Sequence, residues 1–220
     1  MFHEILVPCK ISLVNFHEMS CIIKAMARSY QLKERGERQQ RTRQKIIEAA
    51  IELHQAKGLA ATTMSEIADR AKVGRVTVYR HFPDEAALIG ACSGQYFQRH
   101  PLPDPGPWRS VRNGTERLRR GLRETYAYHR ATEAMMTRVL AEARDLPIML
   151  PYHTHWKRAV DILAAGWPVS AHRKALLKAA LALAVSFDTW HFLVRRHHLT
   201  DDQAIELMVR MACDCQKNEV

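Results

Sequence analysis

The stretch TTMSEIADRAKVGRVTVYRHFPDEAAL, residues 62–88, decides the fold. Thr63, Met64, Ser65 and Glu66 spell a capping box, in which the threonine hydroxyl accepts the Glu66 backbone N–H and the Glu66 carboxylate reaches back to Thr63. A helix is expected from there, with Ile67, Ala68 and Ala71 on one face. Lys72, Val73 and Gly74 interrupt it, and a second short helix from Arg75 to Phe82 stops before Pro83, because proline disfavours helical backbone in the residue ahead of it. Two short helices across a turn of three or four residues, with the small Ala68 where they approach, form a helix-turn-helix pattern.

The second helix has two chemically different sides. Val78 and Phe82, four apart, face inward, which leaves Arg75, Thr77, Arg80 and His81 pointing outward with Tyr79 at the edge. Such a face suits the major groove of DNA: arginine bonds guanine O6 and N7, threonine meets a thymine methyl, and tyrosine or histidine holds phosphates. A formal net charge of +10 points the same way, toward an anionic partner.

Working outward, Ile46, Ile47, Ala50, Leu53 and Ala56 recur at helical spacing, so a helix is predicted from about Gln40 to Lys57, closed by Gly58. Ahead of it, Arg28, Lys33, Arg35, Arg38, Arg41, Arg43 and Lys45 stand against only Glu34 and Glu37. This is a basic arm suited to phosphate contact, with Arg41 and Arg43 nearest the helix. Residues 1–25 show no clean periodicity, and Met26 opens a stretch that reads as a natural start. Residues 1–37 are therefore expected to be an N-terminal extension, disordered or upstream of the true start.

With its preceding helix, covering about residues 40–100, the quoted stretch resembles the DNA-binding signature of the tetracycline-repressor (TetR) family, through Thr63, Ile67, Ala68, Thr77, Tyr79, His81, Phe82 and Leu88. The resemblance implies that Thr63, Tyr79 and His81 bind phosphates while Arg75, Val76, Thr77 and Arg80 face bases. Two positions depart from the family pattern. Lys72 stands where a turn glycine is common, so it has to adopt a left-handed backbone or reach DNA itself. Glu85 stands where a lysine often touches a phosphate, which puts that contact in doubt.

Past this head, HPLPDPGPWRS (residues 100–110) holds four prolines and reads as a linker. Helical patterns follow near 110–130, 132–144, 147–166, 170–197 and 201–216. The fold class is all-α, about nine helices: a three-helix DNA-binding domain over 38–88 and a larger ligand-sensing and dimerisation domain over 89–220. The resemblance implies that the last two helices pair with those of a second copy, so that a homodimer meets a palindromic operator with recognition helices about 34 Å apart.

Tyr126, His129, Met136, Trp156, Phe187 and Trp190 are the candidates to line an effector pocket, since a few polar anchors among aromatic and thioether groups suit a small apolar molecule. Ordinary core packing is the better account of each of them taken singly, and the resemblance implies a pocket in the body without saying which residues line it. His153 with His155, His191 with His197 and His198, and Cys213 with Cys215 lack the spacing of a metal site. No cofactor is expected. No Gly-x-Ser-x-Gly elbow, phosphate-cradling glycine loop or strand pattern supports an enzyme.

Five scattered cysteines (Cys9, Cys21, Cys92, Cys213 and Cys215) and an opening without a signal-peptide pattern suggest a reducing cytoplasm. The longest stretch free of Lys, Arg and Glu, residues 179–194, is short of the roughly 20 residues of a membrane span. The expected function is a ligand-responsive transcriptional regulator, a repressor released from its operator by a small molecule. The alternative is a DNA-binding protein of the same fold without a sensor.

Overall fold

The computed structural model describes residues 16–215, and the chain divides into two compact units, Met1–Lys45 and Ile46–Val220. Nine α-helices and no strand occur among the described residues. Helix α1 runs Phe16–Lys57 and so carries residues of both units. Its start lies well before the predicted Gln40, and the described part of the extension, expected to lack structure, is helical. The cause is local: no proline falls between Phe16 and Lys57, and Arg38 with Glu34 (3.4 Å) and Arg41 with Glu37 (3.9 Å) form i,i+4 pairs of the kind that support an exposed helix. Residues 1–15, with Cys9 and the beginning of that extension, lie outside the described residues.

In the second unit, α2 (Met64–Ala71), α3 (Arg75–His81) and α4 (Glu85–Arg99) close the head over the last turns of α1. Ile46, Ile47 and Ala50 meet Ile67, Ala68, Val78, Phe82, Leu88 and Cys92 in one buried cluster. Met135, from a helix of the body, belongs to the same cluster. The loop after α4 folds into a short 3-10 turn, Gly106–Ser110, that inserts Trp108, fully buried, beneath the body.

The body is built around α5 (Gly114–Ala143), one unbroken helix where two were expected. Residues 131 and 132, where the break was placed, carry no proline or glycine, and Thr132 turns its hydroxyl back to donate to the Tyr128 carbonyl, so the helix continues. Leu118, Leu122, Tyr126 and His129 form a fully buried stripe along it. After a 3-10 turn (Pro147–Met149), α6 (Leu150–Ala164), α7 (Ala171–Val185) and α9 (Asp201–Asp214) pack against that stripe.

The long helix expected over 170–197 is instead three pieces: α7, then α8 (Phe187–His191), then a π-helical turn, Phe192–Arg196. Ser186 sits in the extended region (φ −69°, ψ 136°) at the break. A broken helix leaves carbonyls without partners, and in a core these need donors. Tyr126 supplies one, its hydroxyl donating to the Ala184 carbonyl at 3.1 Å, and His129 the other, its Nε2 donating to the Val185 carbonyl at 3.0 Å. Two side chains of α5 thus hold the kink open.

No single described helix is long and apolar enough to cross a membrane. Residues 173–196, taken together, reach that length and composition but bend by 59° at Ser186, and Leu177, Leu181, Trp190 and Leu193 within them are buried in the body's own core.

Candidate nucleic-acid interface

The capping box closes as the sequence requires. The Thr63 hydroxyl accepts the Glu66 N–H at 3.3 Å, and the Glu66 carboxylate accepts the Thr63 N–H at 2.9 Å. Lys57 adds a 2.5 Å ion pair to the same carboxylate, and these donors hold Glu66 at a pKa of about 2. At the other end of α2 the chain turns at Lys72 in the left-handed region (φ 55°, ψ 46°), the conformation normally left to glycine. For a side chain this costs about 1–2 kcal/mol. The Val73 N–H closes the turn on the Ala68 carbonyl at 3.0 Å.

Helix α3 then presents two faces. Val78 is fully buried and Phe82 nearly so, whereas Val76 is 74% exposed and Tyr79 40%. Arg75 and Arg80 are exposed, and Thr77 and His81 half-buried. Arg75 lies over the Tyr79 ring, 5.6 Å from its centroid, with a guanidinium nitrogen 3.5 Å from the hydroxyl. The exposed side chains of Thr63, Lys72, Arg75, Val76, Tyr79 and Arg80 all belong to this one short segment of chain. Arg41 and Arg43 belong to the first unit, Arg41 exposed beside Glu37 and Arg43 half-buried. Asp84, which the sequence reading passed over, caps α4 by accepting the Ala87 N–H at 2.7 Å, and Glu85 occupies the first turn, where the helix dipole favours a carboxylate.

In the body, the six residues expected to line a pocket separate. Tyr126, His129 and Trp190 are fully buried and Met136 nearly so, with the His129 ring 5.4–5.8 Å from Trp156, Phe187 and Trp190. Burial pushes His129 from 6.5 down to about 4, so it is neutral. Only Trp156 and Phe187 reach an open cleft of about 510 Å³, whose other walls include Leu140, Arg144, Tyr152, Ala179 and Ala182. Met136 instead borders a cavity of about 40 Å³ between α4 and α5, with Ile51, Tyr96 and Met135. Arg144 and Asp188 pair at 2.7 Å and Lys178 and Asp161 at 2.5 Å at the cleft rim. No group of three or more His, Cys, Asp or Glu with metal-site geometry occurs among the described residues.

Residues 46–92 match the family described as "Bacterial regulatory proteins, tetR family". An uncharacterized HTH-type transcriptional regulator, YvkB, of Bacillus subtilis is 38% identical over 55 residues, 25% of this chain and 29% of that protein. The HTH-type transcriptional regulator TtgR of Pseudomonas putida is 39% identical over 64 residues, 29% of this chain and 30% of its own. The matched stretch thus spans under a third of either relative. A TetR-like transcriptional regulator from Rhodococcus sp. RHA1 superposes with a TM-score of 0.55 at 20% identity, over 78% of this chain and 93% of its own, so the likeness of fold extends through the body.

Proposed function

We propose that the chain is a member of the tetR family of bacterial regulatory proteins, with a DNA-binding helix-turn-helix, and that it is a dimeric repressor which a small molecule releases from a palindromic operator. The observation that carries the reading is the polarity of α3, with Val78 and Phe82 sealed into the head and Arg75, Val76, Tyr79 and Arg80 left in solvent. Arg75, Val76, Thr77 and Arg80 meet base edges, while Thr63, Lys72, Tyr79, His81, Arg41 and Arg43 hold phosphates. The head spans residues 38–88 and the sensing and dimerising body 89–220.

Dimerisation through the last helices is supported by apolar side chains that the single chain leaves uncovered. Leu176 and Leu183 on α7 are 59% and 54% exposed, and Leu207 and Met211 on α9 are 38% and 45%. Each pair shares a helical face, and water-exposed stripes of this kind are the usual mark of a protein interface. The effector site is the cleft at Trp156 and Phe187. Its volume is that of a small-molecule site, and a wall of Trp156, Tyr152 and Phe187 facing Ala179 and Ala182 suits a planar apolar ring system. Such a molecule shifts the dimer between operator-binding and splayed shapes only by its difference in affinity for the two.

Selection of bound duplexes from a random DNA pool tests the reading. A twofold-symmetric consensus, lost when Arg75 and Arg80 are both changed to alanine, is expected. Enrichment of no sequence by the native chain would overturn it.

A further inference from the structure

The turn between α1 and α2 is held by a residue far away in sequence. The Glu142 carboxylate, on the last turn of α5, accepts the Ala60 backbone N–H at 2.8 Å. Gly58, two residues earlier, has φ +92°, and a Cβ placed on it would fall on that carboxylate. The backbone at this position therefore favours glycine, and the carboxylate occupies the space that a Cβ would take. His54, buried beside the turn, feels the same negative charge. Thr62 then donates its hydroxyl to the Gly58 carbonyl at 2.7 Å, and Thr63 opens α2. Within the turn the Gly58 N–H donates to the His54 carbonyl at 2.9 Å and the Thr62 N–H to the Leu59 carbonyl at 3.1 Å, and Glu142 is the side chain from the body that ties it down from outside.

The same turn of α5 looks the other way as well. Leu140 and Arg144, two residues to either side of Glu142, line the body cleft, and Arg144 reaches across it to Asp188. Met135 lies in the head core, Leu140 in the body core, and Val139 packs against both. We propose that Glu142 is a positioning residue for DNA recognition, setting the α1–α2 turn and with it Thr63 and α3, and that it carries an occupant's effect from the cleft to the head. The second half rests on the regulator reading above; the first half needs only that the head binds DNA.

The sign of the effect separates this role from simple electrostatics. Deleting an acidic group beside a DNA-binding head strengthens binding by reducing repulsion of phosphates. Loss of the hydrogen bond acts the opposite way. Full-length Glu142→Ala is expected to bind the selected operator about fivefold more weakly than the native chain, a modest loss because the carboxylate is exposed, while the Ala60 amide exchanges faster with solvent. Glu142→Gln, which removes the charge but keeps a carbonyl acceptor, is expected to bind at least as tightly as the native chain. Equal affinity of the two variants, or weakening by both, overturns the positioning role. Failure of the native chain to bind any duplex is a different result, and it strikes the regulator reading instead.

Ala182→Trp, at an exposed wall of the cleft, supplies the occupant. It is expected to lower operator affinity when Glu142 is present and to leave affinity unchanged in the Glu142→Ala background. The same loss in both backgrounds, or in neither, overturns the link.

Discussion

Acid should destabilise the fold through the buried His129 that braces the kink of the body. The His129 Nε2 donates to the Val185 carbonyl, and the ring is enclosed by Tyr126, Tyr128, Trp156, Phe187 and Trp190. Burial lowers its pKa from 6.5 to about 4, against weaker upward pulls from the Val185 carbonyl, Asp188 and Asp201. In the unfolded chain the imidazole takes a proton as pH falls below about 6.5; in the fold it resists until about 4. Acid therefore favours unfolding. The stabilisation is complete above pH 6.5, drains away as pH falls toward 4, and changes no further below that. At 1.36 kcal/mol per pH unit this amounts to about 3 kcal/mol, a large share of the stability of an ordinary domain.

Urea unfolding of the native chain and of His129→Gln at pH 7.5 and pH 4.5 isolates the term, since Gln can still donate to Val185 but does not titrate. His54 and His155, whose burial also lowers them, are common to both proteins and cancel. The native chain should lose most of those 3 kcal/mol relative to the variant at the lower pH. Parallel pH dependence of the two would refute the assignment of His129 as a neutral structural donor.

Arg80→Ala is expected to cost about 1–3 kcal/mol in operator affinity, with relaxed preference at one base pair, measured by anisotropy titration against single-base operator variants. Arg41→Ala should weaken binding to all sequences alike and lower the slope of log affinity against log salt by about 1, which titrations at several salt concentrations read directly. Leu183→Glu with Met211→Glu places charge on the exposed apolar stripes of α7 and α9, and sedimentation should report a folded monomer; a persistent dimer would move the interface elsewhere.

The head was legible because its signals are local. The capping box, the inward Val78 and Phe82 and the turn at Lys72 each depend on residues within a few positions of one another. The body was legible as helical, but not in its breaks. The split at Ser186 depends on Tyr126 and His129, some 56–58 residues away, offering donors to the freed carbonyls, and no local pattern announces that. The same two side chains were read as pocket candidates, because buried aromatics and pocket aromatics are identical in sequence; only packing shows that, of the six candidates, Trp156 and Phe187 are the ones that reach the cleft. Glu142 resembles any exposed glutamate of a long helix. Its partner at Ala60 lies 82 residues away, although Gly58 at the end of α1 does hint that something approaches closely.

The central claim is that the outer face of Arg75–His81 enters the major groove twice on one operator. Methylation interference at guanine N7, mapped base by base on the selected duplex, tests it most directly. Two symmetric clusters of interfering guanines are expected, centred about 10 base pairs, or one small multiple of a helical turn, apart, each losing one guanine in the Arg80→Ala dimer. A single cluster, or binding that no guanine N7 methylation disturbs, would contradict it.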